Sequence, residues 1–433
     1  MNHKNSQTVG IGLIGLGTVG TGVYRVLQGH AASLEKKIGV RFEIRKIAVK
    51  NISKKRAVKV PRVLLTQNPQ ELLDDPKIHI VIELAGGIHP AKEWIERAFA
   101  AGKHVVTANK ALLAEHGSEI FKAAQRYERR LGFEASVCGG IPIIKSLREG
   151  LVSNEISQLL GIVNGTCNFI LTAMSEKSID FLESLAKAQK LGYAEKNPAF
   201  DVRGIDSAHK LAILARLAFR QEISFESIAV EGIESLSITD IEYAKELGYA
   251  VKLLAIGKKQ KEGIELRVHP ALLPLDHPLS NVKGVYNAVF VHGDQADDLL
   301  FYGRGAGMFP TASAVLSDVV DIVKKIEAGP VDSALSAMLP AGCILPITDL
   351  RSRYYLSFQA ADKPGVLGRI AQTLGKHHIS ILSVHQKESE NAKSVPVVIL
   401  TYEASEKDLR NALRTIDAQK DISEKTVVLR VQR

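Results

Sequence analysis

The chain has 433 residues, 45% of them hydrophobic and 24% charged, a balance typical of a folded globular protein and not of a disordered one. This length predicts two or three domains. The net charge of +9 is compatible with a nucleic-acid partner, but the basic residues are dispersed and their short groups lack interleaved aromatic side chains, so we expect a solvated basic surface and no nucleic-acid partner.

Residues 1–135 alternate between strand and helix patterns. A helical pattern follows the first strand, and another spans 91–101. The apolar runs that predict buried strands lie at 9–14, 42–49, 78–84 and 103–107. Strands that alternate with helices in this way form parallel sheets covered on both faces. We therefore predict an α/β fold with a doubly wound parallel sheet in this part of the chain.

After about residue 140 the pattern changes to longer helices mixed with alternating strands. The predicted elements are helices at 181–191, 205–219 and 240–247, and strands at 251–256, 264–268 and 288–291. They predict an α+β domain with a mixed sheet over 136–305. An apolar-periodic helix follows at 312–326, and we expect the segment 306–326 to return to the first domain.

The last part of the chain predicts a separate small module. Glycine and proline punctuate residues 327–353, which favours a linker. Residues 354–433 then follow the order strand, helix, strand, strand, helix, strand. This βαββαβ order is typical of a ferredoxin-like fold.

A glycine-rich segment follows the first predicted strand and opens a helix. Its residues are Gly15, Gly17, Thr18, Val19 and Gly20. In this context the glycines permit a tight turn and the close approach of a pyrophosphate to the helix N-terminus, so the segment predicts a dinucleotide site in a Rossmann-type domain. The alternative is a tight strand-to-helix turn with no ligand.

The residues after the second predicted strand bear on the choice of dinucleotide. An NAD-selective enzyme usually places Asp or Glu there, against the ribose 2′-hydroxyl. This chain has Lys50 and Asn51, followed by Lys54, Lys55 and Arg56. Because cations attract a 2′-phosphate, NADP(H) is favoured over NAD(H). The alternative is a basic solvated loop.

Thr107 and Lys110 lie at the carboxyl end of another predicted parallel strand. Open α/β sheets bind their ligands at that edge. A lysine there could contact the cofactor or a substrate carboxylate, whereas elsewhere it would be an ordinary surface lysine.

Asp206 and Lys210 are four residues apart on a predicted helix, so their side chains share one face. The helix is largely apolar, and a lysine on a buried helix is costly unless it is partnered and used. A desolvated lysine beside a carboxylate is a candidate acid/base group. The alternative is a helix salt bridge that contributes about 0.2–0.5 kcal/mol.

Three cysteines, Cys138, Cys167 and Cys343, show no CxxC spacing, which favours a reducing compartment without disulfides or a zinc site. Cys138 could be an acyl-forming thiol, but no histidine lies nearby in sequence, so a small core residue is favoured. The polar N-terminus predicts no signal peptide, and no uncharged apolar stretch is long enough to cross a bilayer. We expect a cytoplasmic protein without a membrane partner.

Several long motifs, in order, closely resemble homoserine dehydrogenases over about residues 8–326. They are GLGTVG at 15–20, TANK at 107–110, FEASVCGGIPII at 133–144, GIVNGTCNFIL at 161–171, LGYAEKNPAFDVRGIDSAHK at 191–210 and YGRGAG at 302–307. The C-terminal part, with DKPGVL at 362–367, resembles an ACT domain, a regulatory module that usually binds an amino acid.

The resemblance implies residue roles. Lys210 would donate a proton to the aldehyde oxygen, with Asp206 as its carboxylate neighbour. Lys110 would lie between cofactor and substrate, and Gly303 at the cofactor. Residues 136–305 would bind the substrate and carry the catalytic residues. The residues implied to hold the amino-acid substrate are Asn164, Gly165, Thr166, Gly192, Glu195, Asp201 and Asp206. The backbone around Glu134, Val137, Gly139 and Ile141 would bind a monovalent cation such as sodium. Three positions depart from the commonest family pattern: Asn197 stands where an aspartate is frequent, and Cys138 and Ser207 stand where alanine is usual.

The implied activity is reversible reduction of L-aspartate 4-semialdehyde to L-homoserine in threonine and methionine biosynthesis. The resemblance also implies a homodimer or homotetramer and feedback by an amino acid at the ACT-like module, with threonine favoured. Two alternatives remain. An aspartate-semialdehyde dehydrogenase would need a thiol nucleophile and phosphate, and a non-catalytic amino-acid sensor would not need the Asp206/Lys210 pair.

Overall fold

The computed structural model describes residues 7–326, 339–387 and 394–432. Residues 327–338, the first part of the expected linker, lie outside the described residues. The chain forms two compact units. The first comprises Met1–Ile156, His209–Phe225 and Asn287–Ala341, and the second comprises Ser157–Ala208, Glu226–Tyr286 and Gly342–Arg433.

The strands of the described residues are β1 Gln7–Ile14, β2 Val40–Ala48, β3 Leu65–Thr66, β4 Ile80–Glu83, β5 His104–Thr107, β6 Leu131–Gly132, β7 Ile156–Ile162, β8 Ala229–Val230, β9 Tyr249–Lys259, β10 Ile264–Pro274, β11 Tyr286–Gly293, β12 Asp297–Arg304, β13 Arg351–Ala361, β14 Ile381–Gln386, β15 Ser394–Thr401, β16 Ala404–Ser405 and β17 Val427–Val431.

The α-helices of the described residues are α1 Thr18–Ile38, α2 Gln70–Leu73, α3 Ala91–Ala100, α4 Lys110–Arg126, α5 Ile143–Lys145, α6 Gly165–Lys177, α7 Phe181–Lys190, α8 Ala199–Val202, α9 Ile205–Phe219, α10 Ile238–Glu246, α11 Met308–Ile326, α12 Val366–Lys376 and α13 Glu406–Asp417. None of the described helices is long and apolar enough to cross a bilayer.

The first unit contains a six-stranded sheet of order β3-β2-β1-β4-β5-β6. All its neighbouring strands run parallel. Its central strands are almost continuously apolar because both faces of a doubly wound sheet are buried. The predicted parallel α/β sheet is confirmed.

Helix α11 packs on α1 within this unit. Val315 and Val319 of α11 join Val23 and Leu27 of α1 in one buried apolar cluster. At Gly22 the helices come so close that a Cβ would lie 2.5 Å from the Met308 carbonyl oxygen. The helix of the 306–326 segment thus forms part of the dinucleotide-fold core.

The second unit contains a mixed sheet whose strands follow the order β7-β9-β10-β17-β13-β15-β14. Its last four strands, with α12 and α13, are the C-terminal module, and their order is that of a ferredoxin-like fold. The predicted βαββαβ module is confirmed, with β13 beginning at Arg351. Strand β17 runs parallel to β10, so the sheet of the module continues the sheet of the preceding domain.

Candidate functional site

In the turn between β1 and α1, glycines allow backbone segments to approach one another closely. Gly15 has φ +100°, and a Cβ there would lie 2.7 Å from the Leu84 carbonyl oxygen. A Cβ on Gly20 would lie 2.3 Å from the Gly15 carbonyl oxygen. At Gly17, by contrast, a Cβ would meet no atom within 4 Å. Gly15 and Gly20 are therefore required by the fold, and Gly17 leaves open space at the start of α1.

The first turn of α1 suits an anion. Gly17 is the N-cap and supplies no side-chain cap, and the first turn carries no acidic residue. Thr18 is exposed and Val19 is half-buried. The first amide groups of a helix lack partners inside the helix, and the helix dipole favours negative charge there. This turn can bind a pyrophosphate.

A buried carboxylate that sequence reasoning missed organises the neighbouring strand ends. Glu83 is fully buried at the end of β4. Its Oε1 accepts hydrogen bonds from the backbone N–H groups of Ala85 and Gly86, at 2.7 and 3.1 Å. Its Oε2 accepts a 2.8 Å hydrogen bond from the Thr107 hydroxyl. The ends of β4 and β5 are thereby joined at the ligand edge of the sheet.

Asn109 continues this network towards Lys110. Its Nδ2 donates to the Gly87 carbonyl oxygen at 2.6 Å, and its Oδ1 accepts from the backbone N–H of Leu112, which caps α4. Lys110 is the first residue of α4 and is half-buried. The backbone of Lys110 is therefore fixed beside the strand ends. The sequence carried one signal for this hydrogen-bond network: Glu83 is a charged residue at the end of an otherwise apolar strand pattern.

The basic loop after β2 leaves cations exposed. Within the described residues, Lys50, Lys54 and Lys55 are exposed and make no ion pair. Arg56 behaves differently, since its guanidinium donates to the carbonyl oxygens of Ile52 and Lys54 and so holds the loop together. Three lysines are thus available to an anion, while Arg56 has a structural role.

The segment with Glu134, Val137, Gly139 and Ile141 is a buried backbone turn in the first unit. Its two consecutive residues Cys138 and Gly139 have φ +52° and +40°. The Glu134 carboxylate accepts from the backbone N–H groups at the start of α5, at 2.9 and 2.8 Å, and burial raises the pKa of Glu134 to about 7. The segment therefore offers mainly backbone carbonyl oxygens to a ligand.

Cys138 in this turn and Gly303 beside it bear on earlier expectations. Cys138 is buried, and its sulfur accepts a 3.6 Å hydrogen bond from the Asn287 amide, as befits a core residue. Gly303 lies on β12, where a Cβ would be 3.2 Å from the Ile141 side chain. Among the described residues no group of three His, Cys, Asp or Glu side chains could hold a metal ion.

In the second unit, Asn164 connects two carboxylates. Its Nδ2 donates to Asp201 Oδ1 and to Asp206 Oδ2, both at 2.8 Å. Its Oδ1 accepts from the backbone N–H of Cys167 at 2.8 Å and caps α6. Asn164 and Asp206 are buried, with 5% and 2% exposure. One amide therefore holds two acidic groups, 37 and 42 residues away in sequence, at one place.

The start of α6 also fixes the loop before α8. Gly165 is its first residue, and the Thr166 hydroxyl donates to the Tyr193 carbonyl oxygen at 2.6 Å. Gly192 precedes Tyr193 and has φ +75°. Glu195 in the same loop is exposed, and within the described residues only its backbone carbonyl is hydrogen-bonded, by Gln189. The structure thus brings Thr166 to this loop, but among the described residues the Glu195 side chain makes no hydrogen bond to Asn164.

Asn197 has a clear local role despite its departure from the family pattern. Its Oδ1 accepts from the backbone N–H of Ala199 at 3.2 Å, at the start of α8. Asparagine and aspartate can both form this turn, in which a side-chain oxygen accepts from the backbone two residues on, because only one acceptor oxygen is needed.

Helix α9 carries Asp206 and Lys210 one turn apart. Their exposures are 2% and 9%, so an ordinary solvent-exposed salt bridge is excluded. His209 next to Lys210 is also buried, and its Nε2 lies 3.1 Å from Glu115 Oε1. A lysine ammonium and a carboxylate on one face of a buried helix can serve proton transfer to a polar substrate group.

Comparisons with known proteins agree along the whole chain. A family model described as homoserine dehydrogenase matches residues 142–320, its NAD binding domain matches 15–134, and an ACT domain matches 354–421. A homoserine dehydrogenase of Neisseria gonorrhoeae is 44% identical over 432 residues, covering 98% of this chain and 99% of its own.

Solved structures give the same result. The crystal structure of a homoserine dehydrogenase from Thiobacillus denitrificans has a TM-score of 0.92 at 44% identity and covers 98% of both chains. A hyperthermophilic archaeal homoserine dehydrogenase in complex with NADPH has a TM-score of 0.62 at 26% identity, over 74% of this chain and 99% of its own.

Proposed function

This chain belongs to the homoserine dehydrogenase family of oxidoreductases, and on that premise we propose that it interconverts L-homoserine and L-aspartate 4-semialdehyde with a nicotinamide dinucleotide. The observation that carries the proposal is the Asn164 amide, which holds Asp201 and Asp206 together one turn before Lys210. The product would serve threonine and methionine biosynthesis.

In this proposal Lys210 is the acid/base group. The bound dinucleotide supplies the hydride for reduction and accepts it in oxidation. As the carbonyl becomes an alkoxide, the Lys210 ammonium stabilises the negative oxygen and then gives it a proton. Burial makes both effects stronger than in water, because water does not screen the charge. Asp206 keeps the ammonium charged and oriented.

The other end of the substrate is an α-amino acid. Its binding site needs carboxylates to pair with the ammonium group and hydrogen-bond donors to pair with the carboxylate. Asp201 and Asp206 supply negative charge, and Asn164 sets their spacing. We assign Gly165, Thr166, Gly192 and Glu195 to the same end. Glu195 would have to turn inward when the substrate binds, since it is exposed here.

We further propose NADP(H) as the preferred dinucleotide. The support is the exposed charge of Lys50, Lys54 and Lys55 without acidic partners in the described loop, and an archaeal relative was solved with NADPH. The pyrophosphate would bind at the start of α1. The residues assigned to the dinucleotide are Gly15, Gly17, Thr18, Val19, Gly20, Lys50, Thr107, Lys110 and Gly303.

A monovalent cation such as sodium would bind at the turn at 134–141. Hard cations prefer oxygen ligands, and the residues Glu134, Val137, Gly139 and Ile141 offer backbone carbonyl oxygens. The Glu134 carboxylate is already engaged by two backbone amides, so it is the less suitable group. The role of the cation would be to support the turn, which contacts the backbone of β12 through Gly140.

We propose that the ACT domain binds an amino-acid end product, with threonine favoured, and that the enzyme is a homodimer or homotetramer. Backbone donors at the start of α12, next to Asp362, would hold the effector carboxylate.

The activity is tested by following cofactor absorbance with homoserine and NADP⁺ in phosphate-free buffer, before and after thiol alkylation. We expect turnover in both samples. Turnover only with aspartate 4-semialdehyde and phosphate, abolished by alkylation, would point instead to an aspartate-semialdehyde dehydrogenase. No turnover with either substrate would favour an amino-acid sensor.

A further inference from the structure

Residues 229–234, here called the strap, lie beside the substrate-binding residues of the second unit. The strap begins with β8, which pairs in parallel with β10. The Glu231 N–H donates to the Val268 carbonyl oxygen on β10 at 2.7 Å. The strap thus follows the same strand, β10, that β17 of the ACT domain also pairs with.

One side of the strap is tied to the ACT domain by a bidentate ion pair. Arg430 on β17 donates to both carboxylate oxygens of Glu231, at 2.8 and 2.9 Å. Arg430 is buried and also donates to both oxygens of Glu406 on α13, at 2.9 and 2.6 Å. Because a guanidinium fork binds carboxylates in a fixed geometry, a shift of Arg430 moves Glu231 with it.

The other side of the strap contacts the backbone next to Asp201. The Ile233 N–H donates to the Val202 carbonyl oxygen at 2.8 Å. A Cβ on Gly232 would lie 2.4 Å from that same oxygen, so no side chain separates the two backbones. Packed backbones transmit displacements because they cannot be compressed.

We propose that Glu231 is a positioning residue, through which the ACT domain sets the position of Asp201 relative to Asn164. This inference rests on the proposed function, since it takes Asp201 as a ligand of the amino-acid substrate. The linkage runs from Arg430 through Glu231 and the strap to Val202. A change in the ACT domain would therefore alter affinity for the amino-acid substrate, and not affinity for the dinucleotide, whose assigned residues belong to the first unit.

The test uses the full-length enzyme and compares Glu231→Gln and Arg430→Lys with the wild type. Glu231→Gln is nearly isosteric, and Arg430 keeps Glu406 as a partner, so we expect the fold to persist. Arg430→Lys keeps the charge but loses the fork. In both variants we expect the KM for homoserine to rise about five- to tenfold, the size of a typical coupling effect, while the KM for NADP⁺ stays within about twofold.

Glu403→Gln is the matched control, because it removes an exposed ion pair to Arg351 on the same ACT domain. Its kinetic constants should equal those of the wild type. An unchanged homoserine KM in Glu231→Gln overturns the inference, and so does a fall in kcat that only parallels a fall in Tm, which a merely structural ion pair would give. Absence of homoserine turnover in the wild type would overturn the proposed function, and this inference with it.

Discussion

Lys210 is the residue on which the proposed chemistry depends most directly. Lys210→Ala should lower kcat by about 10²–10⁴-fold, the usual contribution of general acid/base catalysis. Lys210→Arg should not restore it, because a guanidinium holds its proton too tightly. NADPH binding, followed by nucleotide fluorescence, should survive in both variants. Lys190→Ala, at an exposed lysine of α7, is the control. A loss of kcat below tenfold would contradict the assigned role.

A substitution of Asp206 tests the role of the carboxylate in the Asp206/Lys210 pair. Asp206→Asn keeps the size of the side chain but removes the charge beside Lys210, so we expect a lower kcat and a shifted pH profile of kcat with the far-UV circular dichroism unchanged. A simple helix salt bridge predicts something else, a stability loss of about 0.2–0.5 kcal/mol with normal turnover. Normal turnover would therefore remove Asp206 from the catalytic machinery.

At the scale of elements, the proposed preference for NADP(H) depends on the loop after β2. Lys50→Glu should lower kcat/KM for NADP⁺ by about tenfold or more and leave the value for NAD⁺ nearly unchanged, because a charge-assisted contact to a phosphate contributes about 1.5–3 kcal/mol. The difference should shrink as salt is added. Lys122→Glu, on an exposed face of α4, serves as the control. Equal losses with both dinucleotides would refute a contact with the 2′-phosphate.

Strand β5 begins with His104, whose protonation links the free energy of unfolding to pH. His104 Nδ1 accepts a hydrogen bond from the Arg130 N–H at 2.9 Å. Burial, together with the charges of Arg129 and Arg130, lowers the pKa of His104 to about 4. Between that pKa and about 6.5, His104 binds more protons in the unfolded chain than in the folded one, so its contribution to stability rises with pH over this window and is constant above it.

We therefore expect His104→Asn, which keeps an acceptor near Nδ1, to flatten the pH dependence of the urea midpoint between about pH 4 and 6.5. Other buried groups also shape the curve, since burial lowers the pKa of His269, which acts in the same direction, and raises that of Glu134, which acts in the opposite direction. His30→Asn, at an exposed position of α1, should leave the slope as it is. Parallel curves for His104→Asn and the wild type would show that His104 does not contribute.

At the scale of the whole molecule, we expect the stability of the second unit to depend on its ACT domain. Strand β17 pairs with β10, and the Tyr355 hydroxyl donates to Asp240 Oδ1 at 3.0 Å. A chain that ends before Arg351 would expose the β10 edge and leave the buried Asp240 without this donor. We expect its Tm to fall by about ten degrees or more and its turnover to fall with it. A truncated enzyme with the wild-type Tm would show instead that the domain is separable.

The sequence by itself determined the order of the main elements and the local motifs. The alternation of apolar strands and helices predicted the parallel sheet, and the βαββαβ order predicted the ferredoxin-like module at the C-terminus, because side-chain periodicity is a local property. The resemblance of the C-terminal part, with DKPGVL at 362–367, then indicated an ACT domain. The glycine motif at 15–20 could be interpreted for the same reason, since its turn needs only neighbouring residues. Asp206 and Lys210 share a face by helical spacing alone.

Only the tertiary structure decided which distant residues meet. Asn164 reaches Asp201 and Asp206 across 37 and 42 residues, and Glu83 reaches Thr107 across 24. No periodicity encodes such contacts, because they depend on which strand ends lie side by side. The same holds for Arg430 and Glu231, which are 199 residues apart and meet because β17 and the strap both follow β10. Local sequence patterns therefore predict the helices and strands, whereas the pairing of strands decides which distant side chains come together.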